Sequence, residues 1–279
     1  MSLSTSRSSH GLLLISLLFA ALLLIGGTLA QKPGVSAPAP TALVALPLEG
    51  NLPEKRILFV GNSYTYFNDM PVMVQNMLNR TPGRLFNYRA DMIVREGAKL
   101  ADHLRERKVL AHLSAAKYEY VFLQEQSTAT FYTNEAAASD AAIGGLVQVI
   151  KNHGAQAVLF STWARKPGNK FYGSRGFSNL VSPKDPVEMT RRLNNFYKQA
   201  AARYGATHIP LALYWYMALT KYPDLNMYIN DGSHPLPVGS YLMALLAYRQ
   251  MTGTLPPNLW HPSSVTEAER DRLLQLISR

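Results

Sequence analysis

Four consecutive apolar residues at 57–60 (ILFV) are followed at once by Gly61, Asn62 and Ser63. An unbroken apolar run of this length has the composition of a strand buried on both faces. Similar runs recur at 120–123 and 157–160, 208–211 reads as a short fifth strand, and a more polar run at 86–94 fits a strand nearer a sheet edge. Between them the spacing of apolar residues turns helical, at 72–79, 100–113, 134–153, 187–204 and 238–251. Pro71 suits a first helical turn, Pro82 and Gly83 end that helix, and Gly205 closes a later one. Strands alternating with helices predict an α/β fold, a three-layer α/β/α arrangement around a mainly parallel sheet of five strands. Right-handed crossovers leave the carboxyl ends of such strands on one rim, where open α/β sheets bind ligands. Ser63, Gly97, Gln126, Trp163 and His234 all fall just after strands or in late loops and can share that rim. The polar, glycine-containing stretch 165–186 is too long for a simple connection and reads as a lid or binding loop.

The first thirty residues follow a different pattern. Arg7 and His10 precede an apolar run at 12–25, and small residues follow up to Ala30. A basic start, an apolar core and a small-residue exit describe an export signal, residues 1–30, with cleavage after Ala30. The run is shorter than the ~20 residues a spanning helix needs, which favours cleavage over a retained anchor. The expected location is therefore periplasmic or secreted, with membrane contact only through this segment if it stays attached. Residues 31–54, with Pro33, Pro38, Pro40, Pro47 and Pro53, read as a linker. One domain is expected over 55–279.

The chain has 279 residues, 47% of them apolar, enough for one sizeable core. Its formal charge of +10 admits a nucleic acid, an anionic membrane or an acidic polymer as partner. The basic residues are dispersed, and no basic run is interleaved with aromatics, so nucleic-acid binding is not expected. The absence of cysteine excludes disulfides, thiolate metal sites and a cysteine nucleophile. His103, His112, His153 and His208 lack a second ligand at metal spacing and read as surface or core residues. No metal and no cofactor are expected.

The remaining polar residues supply a chemistry. A serine hydroxyl needs a base to take its proton, and the base needs a carboxylate to fix its tautomer. Asp231 and His234, three residues apart in DGSHP, supply both. Either reading, catalytic pair or Asp-Gly turn with an exposed histidine, fits residues 231–234 alone. The order decides between them. A buried strand ending in Gly-x-Ser, with Asp-x-x-His near the C-terminus, resembles the SGNH (GDSL-type) hydrolases. Gly97 stands at that family's second block and Gln124 to Ser127 at its third, so the likeness spans about 56–253.

The resemblance implies a flavodoxin-like sheet with Ser63 as nucleophile, His234 as base and Asp231 as its partner. It also implies an oxyanion hole from the backbone amides of Ser63 and Gly97 and a third donor. The family uses an asparagine there. This chain has Gln126, or alternatively Gln124, whose amides donate the same bond through one more methylene. Its first block reads Gly-Asn-Ser where the family has Gly-Asp-Ser. Asn62, Glu125 and Trp163 are candidate substrate contacts, and Trp163 and Arg165 end the fourth strand on the same rim. The implied activity is a serine esterase acting on an acylated carbohydrate or other small ester, most simply an acetyl ester. A polysaccharide O-acetyltransferase with the same triad and a non-catalytic glycan-binding module are the alternatives.

Overall fold

A computed structural model describes residues 42–48, 50–174 and 179–278 of the chain. Five strands form the sheet: β1 (Glu54–Gly61), β2 (Asn87–Val94), β3 (Tyr120–Gln124), β4 (Gln156–Phe160) and β5 (Thr207–Ile209). All pair in parallel in the order β2-β1-β3-β4-β5, which puts the more polar β2 at an edge. Successive side chains on a strand point to opposite faces. Ile57 and Phe59 accordingly enter one core with Phe122, Val158 and Phe160. Leu58 and Val60 enter the other with Val121, Leu123 and Leu159. That is why the strand sequence is apolar without a break.

The first core is covered by α1 (Ser63–Tyr66), α2 (Met70–Asn79), α7 (Leu211–Lys221), α8 (Pro237–Thr252) and α9 (Glu267–Ile277). The second is covered by α3 (Leu100–Glu106), α4 (Lys108–Ala115), α5 (Thr133–Asn152) and α6 (Pro186–Tyr204). The result is a three-layer α/β/α fold.

Several boundaries differ from the sequence pattern. The single helix expected at 100–113 is two helices, because Arg107 adopts φ 56° and its N–H turns back to the Leu104 carbonyl. The break lets both halves bury apolar faces, through Leu100 and through Val109 and Leu113. β5 ends at Ile209, since Pro210 has no N–H to offer the sheet and instead precedes α7. α9 falls outside the expected elements, although a reciprocal cap between Thr266 and Glu269 marks its start.

The export segment 1–30 and linker residues 31–41 lie outside the described residues. The described part of the linker is docked rather than free. The Leu43 N–H donates to Asp69 Oδ2 (2.8 Å) and the Leu46 N–H to Asn76 Oδ1 (2.9 Å). No helix among the described residues is long and apolar enough to cross a membrane.

Candidate active site

The turn expected to carry the nucleophile is tightly constrained. β1 stops at Gly61, where a Cβ would meet Thr65 Oγ1 and lie 2.6 Å from Gln124 Oε1. Only glycine fits that approach. Asn62 then caps α1: its Oδ1 accepts the Tyr64 N–H (3.1 Å), and its Nδ2 donates to the Ala98 carbonyl (3.0 Å). Asn62 thus braces the Ser63 turn against the Gly97 turn, and it also lines the cleft where a substrate contact is expected. Behind the turn, buried His103 bonds through Nε2 to the Gly61 carbonyl (2.8 Å).

Ser63 Oγ lies 2.9 Å from His234 Nε2, and His234 Nδ1 lies 2.5 Å from Asp231 Oδ2. The other Asp231 oxygen accepts the backbone N–H groups of Ser233 (2.8 Å) and His234 (2.9 Å). An ionised carboxylate only accepts, so Nδ1 carries the proton and Nε2 is left to accept from Ser63. Partial burial pushes the Asp231 carboxyl up, but the bonds from the His234 ring and the two amides outweigh it and hold it below its ordinary 3.8.

The loop expected to carry the base, 231–234, has no regular structure of its own and is held by its neighbours. Gly232 takes φ +66°, and a Cβ there would sit 3.0 Å from Lys166 Cβ. The Lys166 N–H donates to the Gly232 carbonyl (2.8 Å), and Asn169 Nδ2 to that of Asp231 (3.2 Å). From the core, Trp163 Nε1 donates to the Ser233 carbonyl (3.0 Å), and Tyr64 bonds the Ser233 hydroxyl. Tyr64, Trp163 and Trp215 form one stack, with centroids 4.4 and 4.1 Å apart. Phe67 stacks on the His234 ring at 4.6 Å. Trp163 is fully buried, so its expected role as a substrate contact is corrected: it is the pillar under the base loop.

The two glutamines separate cleanly. Gln124 Oε1 accepts the Asn62 N–H (3.2 Å) and the Thr65 hydroxyl (2.7 Å), while its Nε2 bonds the Glu125 carbonyl. Its amide is committed to pinning the nucleophile turn, which corrects its place as the alternate oxyanion donor. Gln126 Oε1 accepts the N–H groups of Thr128 (2.8 Å) and Ala129 (2.9 Å) and the Thr128 hydroxyl (3.0 Å). That fixes which end of the amide is oxygen. Its Nε2 has no acceptor among the described residues, and Gln126 lines the cleft with Ser63 and Gly97. The backbone amides of Ser63 and Gly97 likewise have no acceptor among the described residues.

Gly97 sits third in the turn closed by the Ala98 N–H to the Arg95 carbonyl, at φ +64°, with open space where a Cβ would go. Backbone conformation, not room, requires glycine there. Glu125 is buried away from the cleft, its Oε1 accepting from the N–H groups of Leu100 (3.1 Å) and Gln126 (2.6 Å). Burial raises its carboxyl above the ordinary value against those bonds. It positions the Gln126 backbone, a correction to its expected substrate contact.

These groups face a cleft of about 330 Å³ whose lining includes no Leu, Ile, Val, Met or Phe. Among the described residues, no group of three or more His, Cys, Asp and Glu is placed to hold a metal ion.

No protein-family model and no curated protein matches the chain. Solved structures do. A putative SGNH hydrolase from Slackia heliotrinireducens is 28% identical over 72% of this chain and all of its own, with a TM-score of 0.55. A DUF4886 family protein from Bacteroides uniformis is 17% identical over 80% of this chain and 93% of its own, with a TM-score of 0.59. A variant of an acetyl xylan esterase from Geobacillus stearothermophilus is 16% identical over 72% and 96%, with a TM-score of 0.53. The chain has the α/β fold of the SGNH hydrolases.

Proposed function

We propose that the protein is an exported serine esterase that removes a short acyl group, such as acetyl, from a carbohydrate. The observation that carries this reading is the continuous line Ser63–His234–Asp231, beside three donors without acceptors among the described residues. Ser63 Oγ attacks the ester carbonyl as its proton passes to His234 Nε2. The oxygen that becomes negative takes hydrogen bonds from the amides of Ser63 and Gly97 and from Gln126 Nε2. Collapse expels the sugar alcohol, protonated by His234, and leaves Ser63 acylated. Water then attacks the acyl group, giving its proton to His234, and Ser63 recovers its own as the acid departs.

The cleft lining supports a short acyl group and a polar alcohol, because a long acyl chain would find no aliphatic wall to lie against. The similarity to an acetyl xylan esterase points the same way. Export rests on the pattern of residues 1–30. Ser63→Ala in the purified protein is expected to lower hydrolysis of an aryl acetate by about three orders of magnitude or more. Unchanged turnover would overturn the reading.

A further inference from the structure

The cleft carries a charge pattern that ester hydrolysis does not use. Arg165 follows β4 and lines the cleft with Ser63 and His234. Among the described residues no carboxylate pairs with it. Its Nη2 reaches only the Ser127 hydroxyl, at 3.4 Å, and its guanidinium lies over the Phe171 ring at 5.2 Å. Its Nε is buried with no hydrogen-bond partner among the described residues. A partly buried cation normally has an anion beside it. The Arg165 backbone is fixed as well, since its carbonyl accepts the Tyr172 hydroxyl (2.5 Å) and the next residue bonds the base loop. Lys170 lines the same side without an ion pair among the described residues.

The cleft's own carboxylates do not cancel this charge. Asp231 is occupied by His234 and two amides, and Glu96 lies beyond the nucleophile, after β2. With β1 between β2 and β3, and β4 further out, Glu96 and Arg165 flank Ser63 on opposite sides.

We propose that Arg165, supported by Lys170, is a subsite for a carboxylate on the substrate's sugar, so that the ester is carried by a uronic-acid-type residue. The proposal rests on the esterase reading for its reaction, though not for its binding. The planar guanidinium fork matches a carboxylate with two parallel hydrogen bonds, and Phe171 holds its plane. The chain's formal charge of +10 raises encounter rates with anionic chains at low salt.

The test compares an acetylated methyl hexuronide with the acetylated methyl hexoside bearing acetyl on the same hydroxyl. The wild-type kcat/KM is expected to favour the hexuronide by about tenfold or more, and the preference to shrink as salt is added. Arg165→Met is expected to abolish the preference mainly through KM, and Arg165→Lys to keep part of it. A wild type indifferent to the carboxylate, or an Arg165→Met that lowers both substrates equally, would overturn the subsite. Calorimetry of Ser63→Ala with a hexuronic disaccharide and its neutral counterpart separates the two readings. Acid-selective binding that needs Arg165, with no ester turnover by the wild type, keeps the subsite and removes the esterase. Ester turnover with no acid-selective binding does the reverse.

Discussion

The two halves of the site are held in place by different means. The nucleophile half is a continuation of β1: Asn62 and Ser63 are 2% and 6% exposed, and their turn is pinned from adjacent elements by Gln124, which holds Asn62 and Thr65, and by His103. The base half is a loop whose His234 and Asp231 side chains are 28% and 41% exposed. Its stiffness is borrowed from the Tyr64–Trp163–Trp215 stack below and from Lys166 and Asn169 alongside. A regular strand end can present a nucleophile with little help. A loop can present a base only if something rigid lies beneath it.

The largest effect that sharpens this contrast is expected from Asp231→Asn. The substitution keeps the shape but removes the acceptor that fixes the imidazole tautomer, and kcat should fall by about 10⁴-fold. The same carboxyl predicts a pH signature. Its folded value lies below the ordinary 3.8, so the stability it adds is fully present above 3.8 and is lost as pH falls through the folded value. Denaturant midpoints of wild type and Asp231→Asn should therefore differ at neutral pH and converge well below pH 3.8. A gap that persists in acid would mean that the interaction is not ionic.

The glutamines give the next effect and probe the nucleophile half. Gln126→Glu keeps the oxygen that holds Thr128 and Ala129 but removes the N–H pair. Turnover should fall by about 10²–10³-fold with little change in melting temperature. Gln124→Leu should do the opposite first, orphaning the buried Asn62 N–H and Thr65 hydroxyl at a cost of about 1–3 kcal/mol each, read from denaturant unfolding. If the two variants behaved alike, the division of labour between them would be wrong.

The smallest effect is expected in the base half. Trp163→Phe retains much of the stack but loses the hydrogen bond to the Ser233 carbonyl. Stability should drop by about 1–3 kcal/mol and kcat by less than about tenfold. A larger kcat loss with stability intact would move Trp163 from pillar to substrate contact.

Much of this was legible from the chain itself. Runs apolar on both faces mark buried parallel strands, and Ser63, His234 and Asp231, singled out by the order Gly-x-Ser then Asp-x-x-His, do lie together. What escaped depends on where a side chain points. Trp163 and Glu125 stand at strand ends on the correct rim, yet one turns into the core and the other back under the loop. Gln124 and Gln126 are two positions apart, and only the network around each shows that one amide is committed and the other open. The break at Arg107 leaves no Gly or Pro signal, and Arg165 looks like any basic loop residue until it is seen without a carboxylate partner among the described residues.

The central claim is that Ser63 becomes acylated with His234 and Asp231 behind it. Acid-quenching the protein during turnover of an aryl acetate, followed by mass analysis of its peptides, tests this directly. The account predicts one added acetyl group, on the peptide containing Ser63, and none in Ser63→Ala. An acetyl group on another residue, or turnover that never labels Ser63, would contradict it.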